Sequence, residues 1–378
     1  MEFTLNQDQE FIQKTARDFA QEKILPLAEE IDRKNELPPD IWEGLCDLGL
    51  PGMVFPDEYG GAEAGYDSYV LALEQIARAS GGVATALAVH VTALGAIKLF
   101  GTKSQKAKYL PQGIDGEFKA SFAFTEPDTG SDPKQLTTTA VRNGDYYILN
   151  GTKRFITNSG YQGPMTVFAK EGDEGVCTAF LIDKFCEGYS LSSPWEKVGL
   201  HGSPVYDVFL DNVKVPVENV LGQSGKGFEI LLQGIAFGKI GTSTVALGGI
   251  LAAFEEAVKY AKEKMHRGQP ITKFQAIQLK IGHLAAKYES ARWMCYRLGA
   301  LANNVDNPQK FQADAALVKG YVSDTAVDAA ILACNVHASY GVMAEYAAER
   351  LYRDAIIAPH IEGVSDLQRI ISAGAVLR

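Results

Sequence analysis

The sequence predicts a mainly α protein with a β domain set into its middle, and three observations carry that prediction. Apolar residues recur at helical spacing over the first third of the chain. Short β-branched and aromatic runs with turn residues between them occupy about Lys119 to Leu221. The helical period then returns at Phe228 and holds to the end. The layout gives a helical domain at 1–118, a β domain at 119–227 and a helical bundle at 228–378, with no internal repeat. A chain of 378 residues has room for roughly two to three such units.

In the first domain, Asn6 and Gln9 make an N-cap and capping-box pair ahead of Ile12, Ala16, Phe19 and Ile24. Pro26 marks a bend or an end, and Pro38-Pro39 starts a helix through Trp42, Leu45 and Leu48. The loop Phe55 to Gly61 follows, then further helices to Phe100. Gly81 to Phe100 is nearly free of charge and long enough to span a membrane, but it holds His90 and Lys98 and is rich in Ala and Gly. It reads as a helix buried within a helical domain, so no membrane span is expected.

In the second domain, Asn143-Gly144 and Asn150-Gly151 are hairpin signals, flanked by Thr137 to Val141, Tyr146 to Leu149 and Arg154 to Thr157. Met165 to Phe168, Cys177 to Ile182 and Val205 to Leu210 add strands, which together indicate a small antiparallel barrel or sandwich. In the third, Ile250, Leu251, Phe254, Val258, Ala261 and Met265 trace one apolar helix face, with Glu255 and Lys259 paired on another. Phe274 to Ala302 and Gln312 to Ala338 read as long bundle helices, and their small apolar second faces suggest burial between subunits.

Lys and Arg number 36 against 46 Asp and Glu, a net charge of −10 that repels phosphate backbones and argues against a nucleic-acid binder. Five scattered cysteines without CxxC spacing indicate neither a zinc knuckle nor a disulfide framework, and dispersed histidines indicate no metal site. Reduced thiols and a polar amino terminus without an apolar run lead to the expectation of a cytoplasmic protein.

No GxSxG elbow, HExxH or Rossmann glycine motif is present. The informative segments are polar and glycine-rich. Phe122 to Asp132, with Phe124, Thr125, Gly130 and Ser131, is a strand ending in a turn whose N–H groups and hydroxyls suit a pyrophosphate or a heterocycle edge; a plain surface turn has the same composition. Lys153 to Gly160 alternates an aromatic, Phe155, with a hydroxyl, Thr157. Glu362 is a carboxylate among apolar neighbours in a helical region, so it either caps a helix or is kept desolvated for proton abstraction.

Taken in order, these segments resemble the acyl-CoA dehydrogenase family over essentially the whole chain. The matches are Phe55 to Gly61, Thr125-Glu126-Pro127 with Gly130-Ser131-Asp132, Asn150 to Lys153 with Ile156 to Asn158, Asp211 to Gly222, and Glu349-Arg350 through Glu362-Gly363 to Gln368-Arg369. The resemblance implies a helical domain, a middle β domain and a C-terminal four-helix bundle, assembled as a homotetramer with FAD held between the β domain and the bundle. It implies an acyl-CoA substrate and an electron-transferring flavoprotein or similar acceptor. Glu362 would remove the α-proton while the β-hydrogen leaves as hydride to flavin N5. Thr125 would bond the flavin pyrimidine side, Phe155 would pack on the ring and Thr157 would face N5. Phe122, Phe124, Gly130, Ser131, Lys264, Arg267, Gln275, Asn335, Gly341 and Val364 would complete the cofactor contacts. Ser131, Val89, His90, Lys239, Ile361 and Gly363 would line the substrate.

The chain departs from the family pattern at several of these positions. Lys264 to Gly268 stands where the family has Arg-x-x-Phe-Gly, and Lys lacks the planar fork of Arg. Asn335 to Gly341 replaces Gln-x-x-Gly-Gly-x-Gly, placing side chains on bare glycines. Val364 follows Glu-Gly in place of Thr, His201 replaces an Arg of the β domain, and Lys239 replaces an Arg expected near the CoA adenine. The expected activity is α,β-dehydrogenation of a short, branched or cyclic acyl-CoA. The alternatives are an enoyl-CoA reductase running the same chemistry backwards, an acyl-CoA-binding partner subunit with weakened FAD binding, and an acyl-CoA oxidase whose flavin O2 reoxidises. By the same resemblance, Val83 stands where glutaryl-CoA-type relatives carry an Arg for the distal carboxylate, which disfavours a dicarboxylic substrate. His90 is either a substrate contact or a satisfied core histidine.

Overall fold

The computed structural model describes residues 4–172 and 175–377, the side chain of Lys134 excepted. Asn6 starts α1 (Gln7–Phe19) by accepting the Gln9 backbone N–H at 2.9 Å, while the Gln9 side chain returns to the Asn6 N–H at 3.2 Å. Pro26 bends the chain without a break: a π-helical segment, Ala20–Ile24, and a 3-10 segment, Leu25–Leu27, lead into α2 (Ala28–Lys34). The helices α3 (Pro39–Asp47), α4 (Gly65–Ala79), α5 (Gly81–Phe100) and α6 (Lys103–Ile114) complete the first domain. Ser80 caps α5, which runs buried through the core on Val83, Leu87 and Leu94.

The β domain is one eight-stranded sheet: β1 (Ser121–Ala123), β2 (Thr139–Asn143), β3 (Tyr146–Thr157), β4 (Pro164–Glu171), β5 (Val176–Asp183), β6 (Tyr189–Leu191), β7 (Val205–Pro216) and β8 (Val220–Leu221). Its order is β6-β7-β3-β2-β4-β5-β8, with β1 beside β4. The sheet is mixed: β1 and β2 each pair with β4 in parallel, and every other pairing is antiparallel. Leu149, Ile156, Val167, Phe180 and Val213 form its own apolar core.

Asn143-Gly144 is the β2–β3 turn, as its composition requires, with Gly144 at φ 63°. Asn150-Gly151 is not a turn. It lies inside β3, where the register with β7 slips between Leu149 and Gly151. Tertiary contacts override the local turn preference. The Asn150 side chain accepts the Asn212 N–H of β7 at 2.8 Å, and a Cβ on Gly151 would lie 2.7 Å from Thr138 Cα.

The third domain opens with α7 (Gly227–Glu263), followed by a small hairpin, β9 (Met265–His266) and β10 (Gln269–Pro270). Then come α8 (Gln275–Ala302), α9 (Pro308–His337), α10 (Ala347–Ala355) and α11 (Ser365–Val376). Helix α7 packs on α8 and α9 and also on α4 and α5, so the first and third domains share one core. Like α5, α7 is long and apolar enough to cross a bilayer, and both are mostly buried inside the fold. Asp32 of α2 ties the three domains together, receiving Arg353 of α10 at 2.6 Å and His201 of the β domain at 2.8 Å.

Candidate active site

Glu362 sits between a 3-10 turn, Ala358–His360, and α11. Its φ of 52° is left-handed, an uncommon state for a residue with a Cβ, and Gly363 follows at 88°. The two residues together turn the carboxyl onto α7. A Cβ built on Gly238 would lie 3.2 Å from Glu362 Oε2 and 3.1 Å from Thr92 Cγ2 of α5, so a bare backbone at 238 makes room for the carboxylate. Val89, half-buried, shares a face of α5 with Thr92 at i,i+3 spacing, and Ile361 and Val364 flank Glu362 as half-buried apolar neighbours.

Lys319 of α9 fixes this loop, its ammonium donating to the Gly363 carbonyl at 2.6 Å and to the Pro359 carbonyl at 3.4 Å. Burial pushes the Glu362 pKa up, against the opposing fields of Lys239 and then Lys319. The Lys239 and Lys319 ammoniums are both pushed down to about 8 by burial, with Glu362 acting the other way. A carboxyl poised above its ordinary range beside two cations is equipped to take up and return a proton.

A second group of candidate residues belongs to the β domain. The Thr125 carbonyl accepts the Arg154 N–H at 2.7 Å, which ties the turn after β1 to the irregular end of β3. Glu126 points inward, to Lys153 Nζ at 2.7 Å and to the backbone N–H groups of Thr137 and Thr138 at 2.5 and 3.0 Å. Both side chains of the pair are fully buried. With Glu126 as anchor, Thr125, Gly130 and Ser131 stay outside, Gly130 lying against the Thr125 methyl.

Between Lys153 and Ile156 the register with β7 slips again, and Phe155 takes φ 61°. Its ring stands 53% exposed, edge-on to Trp195 at 5.4 Å. The Arg154 guanidinium forks onto Asp207 at 3.0–3.2 Å, and Trp195 Nε1 donates to the same carboxylate at 2.9 Å, which fixes the aromatic platform. The hydroxyls of Thr125, Ser131 and Thr157 make no hydrogen bond among the described residues. Phe122 packs on Phe168 and meets α7 at Gly234. The Phe124 ring is core, against the same Phe168.

One expectation is corrected. His90 is a satisfied core histidine and not a substrate contact. It is fully buried, its Nδ1 accepts the Ala120 N–H at 2.9 Å, and its Nε2 donates to the Gly113 carbonyl at 2.9 Å. Burial takes its pKa down to about 3, so it stays neutral. Lys239, expected on the substrate side, lies one residue beyond Gly238. It is buried on the turn of α7 that carries Gly238, with its charge acting on Glu362.

A third group lies elsewhere. The Lys264 ammonium sits over the Tyr340 ring at 4.7 Å, and His337 stacks on Tyr260 at 4.0 Å, so Lys264 and the Asn335–Gly341 segment do assemble. Arg267, Gln275 and Asn335 are exposed around them. Gly341 serves the fold there, since a Cβ on it would lie 2.4 Å from the Cys334 carbonyl oxygen. Gly238 and Lys264 are separated by the part of α7 that follows Gly238, roughly 39 Å at 1.5 Å per residue, so this group cannot reach the Glu362 site of its own chain.

Sequence reasoning missed Gly238, Lys319, Trp195 and the inward Glu126. A lysine inside the apolar run Ala315 to Val322 was a legible sign of Lys319; nothing local marked the other three.

Family models match the chain in three consecutive parts: the acyl-CoA dehydrogenase N-terminal domain at residues 6–117, the middle domain at 121–213 and the C-terminal domain at 225–377. The chain is 40% identical to a 3-(aryl)acrylate reductase of Clostridium sporogenes, over 98% of each chain. It is 35% identical to the caffeyl-CoA reductase-Etf complex subunit CarC of Acetobacterium woodii, over 99% of each. Among solved structures, butyryl-CoA dehydrogenase from Megasphaera elsdenii superposes with a TM-score of 0.96 at 34% identity, over 100% of each chain. An acyl-CoA dehydrogenase complexed with FAD from Bacillus anthracis gives 0.92 at 32% identity, over 99% of this chain and 67% of that one.

Proposed function

The chain belongs to the acyl-CoA dehydrogenase family, a FAD-dependent oxidoreductase acting on the α,β CH–CH bond of an acyl-CoA, and from that premise we propose that Glu362 moves the α-proton. The observation that carries this role is the Glu362 carboxyl itself, held against Gly238 with its pKa raised by burial. In the dehydrogenating direction the ionised carboxylate takes the proton; in the reducing direction the same carboxyl, protonated, returns it.

The residues of the β-domain wall suit a flavin. The exposed Phe155 ring offers a face to a planar heterocycle. The unpartnered hydroxyls of Thr125, Ser131 and Thr157 offer hydrogen bonds to its polar edge. When bound, the flavin supplies the hydride chemistry at the β-carbon. The protein residues hold the thioester between Glu362 and that wall, and Lys319 keeps the Glu362 loop in place.

A second reading, enoyl-CoA reduction, is favoured by relatives at 40% and 35% identity that are named for reductases. An electron-transferring flavoprotein is the partner class suggested by the relative named for an Etf complex. We place the adenosine-side contacts of Lys264, Arg267, Gln275, Asn335 and Gly341 on a cofactor held by a neighbouring copy. The length of α7 and the exposed Leu279, Tyr321, Ile331 and Ile370 of the bundle support such an assembly, and the homotetramer is its proposed form. Five unpaired cysteines suit a reducing compartment, the cytoplasm in this proposal.

Anaerobic flavin spectra decide the matter. A panel of linear, branched, cyclic and aryl acyl-CoAs is added to the oxidised protein, and the matching enoyl-CoAs to the reduced protein. Bleaching in the first series marks dehydrogenation, and recovery of the oxidised spectrum in the second marks reduction. Flavin unresponsive to every thioester in both series would sink the proposal.

A further inference from the structure

Lys184 follows β5, is 3% exposed and has no carboxylate partner among the described residues. A buried amine is costly unless oxygens take up its N–H groups. Here three oxygens do, from two segments distant in sequence. Nζ donates to the Lys119 carbonyl, to the Asn158 carbonyl at 2.8 Å and to Ser121 Oγ at 3.1 Å. Lys153, the other lysine buried deep in this domain, is instead committed to Glu126.

The segments that Lys184 joins are the two that carry the candidate flavin contacts. Lys119 and Ser121 lead into β1, and the chain runs on from there to the turn with Thr125 and Ser131. Asn158 stands directly after Thr157, where β3 ends. It is 1% exposed and takes φ 63°, so the chain leaves the strand abruptly at this residue. Its side chain fixes one flank, Nδ2 donating to the Ala86 carbonyl of α5 at 2.9 Å and to the Ala120 carbonyl at 3.3 Å. Its carbonyl lies beyond the ladder with β7 and needs donors inside the protein. The Tyr161 N–H reaches it at 3.1 Å and closes the turn within the same segment. Lys184 is the second donor, and it ties that turn to the entry of β1. An apolar side chain at 184 would fill the space and supply no donor.

We infer that Lys184 is a positioning residue for the flavin side of the site. It holds the Thr157–Asn158 end of β3 against the entry of β1, and so sets where the Thr157 hydroxyl stands. The inference rests on the reading of the β domain as the flavin side. Lys184 acts through the Asn158 peptide, which lies between its amine and Thr157. The Glu362 loop is held by Lys319 of α9 and lies against α7, on elements that Lys184 does not bond. Loss of Lys184 therefore disturbs the flavin side and spares the base.

The test is a double-substitution cycle with Thr157→Val, which removes the hydroxyl and keeps the shape of the side chain. Two quantities are read. One is the affinity of the apoprotein for FAD, by fluorescence quenching. The other is the rate at which a responsive thioester bleaches or restores the flavin of the loaded protein. In the wild-type background Lys184→Met is expected to weaken FAD binding about tenfold (about 1.4 kcal/mol) and to slow the flavin reaction about tenfold. In the Thr157→Val background the same change is expected to cost less than about threefold on both. Equal losses in the two backgrounds mark general damage and overturn the inference. His90→Ala supplies the structural comparison, since it removes a core hydrogen bond at Ala120, beside Lys119, and none to β3. It is expected to lower the melting temperature with both quantities within about threefold of wild type. A His90 variant as impaired as Lys184→Met on both also overturns the inference. If Lys184→Met is not recovered folded, Lys184→Gln, one bond shorter and still a donor, carries the same cycle. Thr157→Val alone with wild-type FAD affinity and flavin reaction would remove the flavin-side reading itself, a failure visible before Lys184 is altered.

Discussion

Glu362 and Gly238 meet where the C-terminal loop crosses α7, and the carboxyl oxygen sits 3.2 Å from where a Gly238 side chain would begin. That separation is tighter than ordinary van der Waals contact. Gly238→Ala therefore displaces the carboxylate by a few tenths of an ångström, because Thr92 closes the other side at 3.1 Å. A misplaced base costs rate more than binding. Stopped-flow bleaching is expected to slow by about tenfold or more, with thioester affinity within about threefold of wild type. A variant with an unchanged bleaching rate would mean that the carboxyl is not held by this contact.

Glu362→Gln removes the proton acceptor and keeps the shape. Turnover is expected to fall by about 10²–10⁴-fold. Stability follows from the raised pKa. A carboxyl that is harder to ionise in the folded protein favours folding below its unfolded pKa, and that contribution is lost as the pH rises toward the folded value. The glutamine, which never ionises, is thus expected to melt about 1–3 °C higher than wild type at pH 8 and equally at pH 4. Calorimetry at the two values reads the difference, and a glutamine protein less stable at pH 8 would reverse the sign.

Lys153→Met leaves Glu126 buried without its cation. The pair is fully buried at 2.7 Å, and removing one partner costs about 3–5 kcal/mol. Against burial, the charge and hydrogen bond of Lys153, and then the Thr137 and Thr138 residues, hold the Glu126 pKa down to about 2. Its stabilising contribution is present above the unfolded carboxyl pKa and is lost as the pH falls from there toward about 2. Urea titrations at pH 7 and pH 3 are expected to give a smaller gap between wild type and Lys153→Met at the lower pH. The turn that Glu126 anchors carries Thr125 and Ser131, so flavin retention should fall in parallel.

His90→Ala tests a structural residue. The substitution leaves the Gly113 carbonyl and the Ala120 N–H unpaired in the core, at a cost of about 2–4 kcal/mol. The melting temperature should drop, while the ratio of kcat/KM across linear, cyclic and aryl acyl-CoAs stays as in wild type. A changed ratio would return His90 to the ligand.

The architecture was readable because its signals are local and repeated: the capping box at Asn6, the helical period after Phe228 and the Asn143-Gly144 turn each act within a few residues. Asn150-Gly151 has the same composition as that turn, but Thr138 and Asn212, distant in sequence, hold it extended. The site divides along the same line. Glu362 stood out as a carboxylate among apolar neighbours. Its setting did not, because Gly238 and Lys239 come from a helix more than a hundred residues earlier, and nothing on that helix marks the turn that faces a loop. The fate of His90 was undecidable from sequence, since its two partners lie on separate segments at Gly113 and Ala120.

The length of α7 has a genetic consequence. One chain carries its carboxylate a third of the way along this helix, at Gly238, and its Lys264–Tyr340 cluster beyond the far end, about 39 Å apart. If the cluster serves a neighbour's cofactor, lesions at the two ends fall on different catalytic centres. Two inactive chains, one altered at Glu362 and the other at Lys264, would then complement each other. Every mixed pair would hold one intact centre and one doubly defective centre, and activity would return on co-expression without either lesion being repaired.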